Sequence, residues 1–231
     1  MTRRPGRTTF PGGMVLKGQF LERPTLVPVA GVVLEGLSHR GERAPPLLIV
    51  PPPPFEGGSM DHVVAAEVAW AAATSKHATL RFNYRGVGAS QGGRGEGLVE
   101  DAEAALRVLE ENTGCANPAL LAIGGSAQVA LELVSRHPGV GGIALVNPAR
   151  IGAEDLSRLA HPLLVAVAEE YRTLPLAALA AAVTEAGGLF EVIEGADVVF
   201  TRNLPRVGRA VARWLAAIGG QVPENTAGGG E

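Results

Sequence analysis

The chain has 231 residues, 46% of them hydrophobic and 19% charged, with a formal net charge of -3. That is enough apolar material for one large α/β domain without a second. The weak negative charge, with no block of like sign, gives no long-range attraction to nucleic acid or an anionic membrane, so neither is expected as a partner. The single cysteine, Cys115, has no partner for an intrachain disulfide, and no metal-ligand spacing is seen, so no cofactor or metal is expected. No run reaches the roughly 18 apolar residues of a membrane span and the N-terminus lacks a signal-peptide core, which makes a cytoplasmic location the expectation.

Residues 1–13 carry charge, Gly and Pro without periodicity and read as a disordered N-terminus ahead of a single domain at 14–218. Residues 15–20 and 27–34 are β-branched and partly alternating, which predicts an antiparallel pair of strands. Residues 39–46 read as a polar loop. Leu47-Leu48-Ile49-Val50 predicts a buried strand that must stop at Pro51, because four successive prolines offer no backbone donors. Ser59 is placed to cap a helix running to Ser75, residues 78–84 predict the next strand, and 85–94 a glycine-rich loop. Leu98, Ala102, Leu106 and Leu109 are spaced for an amphipathic helix over 96–111. Strands are predicted at 142–146, 163–168 and 189–193, helices at 175–186 and around Val207, Val211, Leu215 and Ile218, and 219–231 reads as a disordered tail. Strands alternating with helices at this rhythm imply an α/β fold with a mostly parallel twisted sheet and helices on both faces, whose ligands sit beyond the carboxyl ends of the strands.

At the centre lies Leu120-Leu121-Ala122-Ile123-Gly124-Gly125-Ser126-Ala127-Gln128. An apolar strand, a tight turn and a helix in that order form the setting of a nucleophile elbow, where a serine is lifted above the sheet. The pattern Gly-x-Ser-x-Gly is matched through Ser126 but ends in Gln128, where a small residue would let helix and strand pack closely.

Leu80-Arg81-Phe82-Asn83-Tyr84-Arg85-Gly86-Val87-Gly88-Ala89-Ser90, together with Gly57-Gly58-Ser59-Met60-Asp61, Gly95-Glu96, Asp101 and the elbow, resembles small bacterial α/β-hydrolases related to dienelactone hydrolases, over about residues 27–215. The resemblance implies the α/β-hydrolase fold and a triad of serine, acid and histidine. Ser126 stands at the implied nucleophile. Tyr171 stands at the acid position, and Val198 replaces the histidine in Gly195-Ala196-Asp197-Val198-Val199-Phe200. The family's His-Pro-His-Pro loop appears as Pro51-Pro52-Pro53-Pro54, which cannot donate an oxyanion-hole N–H before Phe55.

Serine is a poor nucleophile without a base, and valine is none. The leading expectation is therefore a hydrolase-fold protein with a degenerate triad that serves as a binding or interaction protein, with a second copy or another protein as its partner. The competing expectation is an esterase or thioesterase using Ser126, with His62 as an unconventional base and the Ala127 and Phe55 N–H groups as oxyanion donors. A third is a small apolar ligand held in the former pocket, near Pro53, Pro54, Gln128 and Asn147. Glu169, Glu170 and Asp197 read as ordinary surface acids.

Overall fold

The computed structural model describes residues 21–157 and 159–220. The chain opens with β1 (Arg23–Val29) and β2 (Val32–His39), followed by β3 (Arg43–Val50), α1 (Val63–Thr74), β4 (His77–Phe82), α2 (Leu98–Thr113) and β5 (Ala119–Ile123). It continues through α3 (Ala127–Arg136), β6 (Gly142–Val146), α4 (Ala153–Ser157), β7 (Leu163–Ala168), α5 (Leu176–Glu185), β8 (Leu189–Ile193) and α6 (Leu204–Gly219). The strands form one sheet in the order β1-β2-β4-β3-β5-β6-β7-β8. β1, β2 and β4 pair antiparallel, and every pairing from β4 through β8 is parallel.

Parallel strands buried on both faces need continuous apolar runs, and Leu47, Leu48, Ile49 and Val50 of β3 are all fully buried. Helix α1 packs on α6 and α2 on α3; α1, α2 and α6 all reach β3, which accounts for its burial from both sides. Because β3 to β8 run in one direction, the segments at 51–58, 83–97, 124–126, 147–152, 169–175 and 194–203 all leave the sheet at its carboxyl edge. Any site must be built from them.

The first strands depart from expectation. Residues 27–34 are not one strand but the tip of the β1–β2 hairpin, turning at Ala30 and Gly31 with φ of 44° and 82°. The expected strand at 15–20, the disordered N-terminus and all but the start of the tail lie outside the described residues. Residues 43–46, expected to be loop, open β3; its register against β4 shifts between Arg43 and Leu47, so Pro45 and Pro46 sit where the ladder is interrupted. The α1 cap is His62 rather than Ser59, whose hydroxyl instead accepts from the Asp61 N–H. Helix α4 had no sequence signal beyond a connecting segment.

Three histidines make a pH prediction. Burial lowers the pKa of His39, His62 and His77. His77 is fully buried; its Nδ1 lies 2.9 Å from the Pro45 carbonyl and must donate there, and its buried Nε2 has no hydrogen-bond partner among the described residues. Below the ordinary histidine pKa of about 6.5 the unfolded chain takes protons that the folded chain resists, so stability is level above that pH and falls as pH drops towards the folded values. Melting temperature is expected to decline between about pH 6.5 and 5, with a shallower slope in His77→Gln, since each such group contributes up to about 1.4 kcal/mol per pH unit. A flat profile in the wild type would contradict this.

Candidate active site

The turn between β5 and α3 is made by Gly124, whose φ is 60°. A left-handed residue there swings the chain from strand to helix, and glycine adopts that conformation without a Cβ penalty. Its carbonyl accepts from the Ala149 and Ala127 N–H groups, which ties the turn to the segment after β6. Ser126 is two residues further on, in relaxed helical backbone with φ -71° and ψ -3°. The residue that the fold presents at the strand-to-helix turn is therefore Gly124, and the pattern read through Ser126 is out of register by two. In the structural register, Ala122 and Ser126 are the small buried residues two positions on either side. Gln128 points outward and is exposed, so it obstructs no packing.

Ser126 is fully buried. Its hydroxyl donates to the Pro51 carbonyl at 2.5 Å and lies 3.0 Å from the Tyr84 hydroxyl. Its one proton is committed to Pro51, so Tyr84 is the donor in the second bond. Burial pushes the Tyr84 phenol above its ordinary pKa, which keeps it protonated in that role. Neither partner can act as a base. The candidate base His62 caps α1, its Nδ1 accepting from the Val64 N–H at 3.3 Å.

The proposed oxyanion donors fare differently from expectation. The Ala127 N–H is used inside the turn, on the Gly124 carbonyl. The neighbouring N–H of Gly125 donates instead to Glu56 Oε2 at 3.1 Å. Glu56 ends a 3₁₀ turn, Pro54–Glu56, that folds the proline loop back over β5. A Cβ built on Gly124 would lie 3.0 Å from Glu56 Oε2, and one on Gly125 only 2.3 Å from Oε1. The carboxylate thus rests directly on two bare glycines at the amino end of α3, where the helix dipole and free N–H groups favour negative charge. Arg150 Nε is 3.5 Å from its other oxygen, and the same guanidinium lies 4.8 Å over the Phe55 ring. Phe55 contributes that exposed ring to the site, while Pro53 and Pro54 are buried. Sequence reasoning missed both Glu56 and Arg150.

Tyr171, which the resemblance sets at the acid position, is buried and its hydroxyl donates to the Pro148 carbonyl at 2.5 Å. Burial pushes it up to about 12, so it carries no charge near neutrality. Val198 is half exposed and its carbonyl accepts from Asn147 Nδ2 at 2.8 Å, while Asn147 Oδ1 takes the Ala168 N–H at 2.8 Å. Asn147 is therefore a brace between the ends of β6 and β7 and the loop after β8. Asp197 accepts from the Thr201 hydroxyl and from the N–H groups of Thr201 and Val199, which hold it at about 2. Glu169 receives the Gly195 N–H and Glu170 pairs with Arg202. Among the described residues no group of three or more His, Cys, Asp or Glu could hold a metal ion, and no helix is long and apolar enough to cross a membrane.

Structures of known proteins share the overall fold. An α/β serine hydrolase homologue from Coxiella burnetii is 27% identical, covers 83% of this chain and 96% of its own, and has a TM-score of 0.73. The chain has the α/β-hydrolase fold. A lidless α/β serine hydrolase from Xanthomonas campestris, 21% identical over 84% of this chain and 95% of its own with a TM-score of 0.70, shares the hydrolase fold. In sequence, an uncharacterized protein of Rickettsia prowazekii is 35% identical over 108 residues, 46% of this chain and 45% of that protein, so the match spans less than half the length of the relative. No family model matches the sequence.

Proposed function

We propose that this chain is an α/β-hydrolase-fold protein that has given up serine hydrolysis and works by binding. The observation that carries the reading is at the strand-to-helix turn, where the fold offers a nucleophile: the residue is Gly124, and a carboxylate lies against it. With Val198 and Tyr171 at the positions that the resemblance gives to histidine and acid, the described partners of the Ser126 hydroxyl are a phenol and a carbonyl, neither of which can take its proton. Loss of the serine or the histidine of such a triad lowers turnover by on the order of 10⁶ in a measured protease. A mechanism using Ser126 has against it the complete burial of that hydroxyl and the commitment of its proton to a carbonyl.

The test is labelling by a fluorophosphonate probe alongside hydrolysis of a p-nitrophenyl ester. The wild type is expected to be unlabelled and to show the same background hydrolysis as Ser126→Ala. That variant leaves Tyr84 and the Pro51 carbonyl each short of a partner and is expected to lose about 1–3 kcal/mol of stability, a structural effect with no change in activity. Labelling that disappears in Ser126→Ala would overturn the proposal.

A further inference from the structure

Beside the turn that carries Glu56, a depression of about 560 Å³ opens between the start of α1 and the segment entering α6. That volume is in the range of small-molecule sites. His62, Val63, Val199, Phe200, Thr201 and Leu204 line it, and no residue of the β5–α3 turn does. Val63 and Val199 are 50% and 57% exposed, two aliphatic side chains left half in water across a concave surface.

Most of the polar groups around it are already engaged. The Thr201 hydroxyl is given to Asp197, and Ser59 Oγ takes the Asp61 N–H. Asp61 itself pairs with Arg81 at 3.3 Å. His62 differs. Because Nδ1 accepts from the Val64 N–H, the neutral ring must carry its proton on Nε2, the nitrogen that the helix cap does not use. Burial favours the neutral form. The result is an uncharged donor beside an apolar wall, and no Lys or Arg is among the lining residues to pair with an anion that would have to be desolvated there.

We propose that this depression binds a small neutral molecule with an apolar body and one hydrogen-bond acceptor, an amide, ketone or ester carbonyl, its chain between Val63, Val199 and Leu204 and its oxygen on His62 Nε2–H. This deepens the binding reading above and rests on it only in that the bound carbonyl is not turned over.

The test is titration of the ¹⁵N-labelled full chain with hexanamide, followed by NMR, with hexanoate as the charged control. Hexanamide is expected to shift residues 57–63 and 199–204. Hexanoate is expected to bind about tenfold more weakly, a difference of roughly one hydrogen bond's worth of free energy. His62→Asn keeps an acceptor for the helix cap but withdraws the reaching donor, and should weaken hexanamide by about the same factor. Val199→Trp, at an exposed loop position, should fill the groove and abolish the shifts. Absence of shifts at those residues, equal affinity in His62→Asn, or hexanoate binding as tightly as hexanamide each overturns the proposal. Fluorophosphonate labelling with hexanamide still bound would instead sink the non-catalytic reading and leave the pocket standing.

Discussion

Asp101→Ala is expected to cost about 3–5 kcal/mol, the range for breaking one partner out of a buried ion pair. Asp101 is fully buried in the first turn of α2, and three donors converge on it from Arg85. The Arg85 backbone N–H reaches Oδ2 at 2.9 Å, while Nε and Nη2 reach Oδ1 at 2.9 Å and 2.6 Å. The guanidinium passes so close over Gly97 that a Cβ there would lie 2.6 Å from Cζ, so the pair also clamps the far end of the glycine-rich loop onto the helix. Alanine removes the charge and every acceptor at once and leaves a cavity. Asp101→Asn keeps the volume and one acceptor oxygen, and is expected to lose roughly half as much, since hydrogen bonds to charged groups contribute about 1.5–3 kcal/mol. In a chain of this size the alanine variant should melt about 6–20 °C lower. Urea unfolding measures both variants, and an alanine variant within about 1 kcal/mol of wild type would show the pair to be dispensable.

That ion pair also explains what the sequence disclosed. The block from Arg81 to Gly86 is the most specific resemblance in the chain, and its polar groups build scaffold. Arg81 holds Glu22 and the Met60 carbonyl, Asn83 takes the Met60 N–H and gives to Glu35, and Arg85 holds Asp101. Apolar strands such as Leu120-Leu121-Ala122 were legible because a strand buried on both faces must be continuously apolar. The hairpin at 27–34 was not, because of its two turn residues only Gly31 is a turn signal, and the flanking valines read as one run across it.

The site was harder to read for two physical reasons. A motif scan anchors on the serine, whereas the turn is anchored on the residue that follows the strand. β5 ends at Ile123, and the small residues Ala122 and Ser126 flanking Gly124 were the signal that could have set the register. Glu56 carried no signal at all. It lies 69 residues before the amide it accepts from, and only the folding back of the proline loop brings the two together.

How that loop folds back gives the second large prediction, at Gly58. Gly57 and Gly58 are adjacent but needed for different reasons. Gly57 is left-handed, with φ 72°, and nothing lies within 4 Å of a Cβ placed there. Gly57→Ala should therefore cost only the conformational penalty, about 1 kcal/mol. At Gly58 an added Cβ would fall 1.9 Å from the Pro52 carbonyl oxygen and 2.4 Å from its carbon. Those are backbone atoms of a run of prolines with fixed φ, which cannot rotate away as a side chain would. The neighbouring carbonyl of Pro51 also anchors Ser126, and the 3₁₀ turn between them carries Glu56, so relief of the clash must displace both contacts. Gly58→Ala is expected to cost on the order of 3 kcal/mol, lowering the melting temperature by about 6–12 °C against about 2–4 °C for Gly57→Ala. It should also perturb the Gly125 amide resonance, which Gly57→Ala should leave nearly in place. Equal melting temperatures for the two variants would mean that the proline loop does not grip residue 58 as the geometry requires.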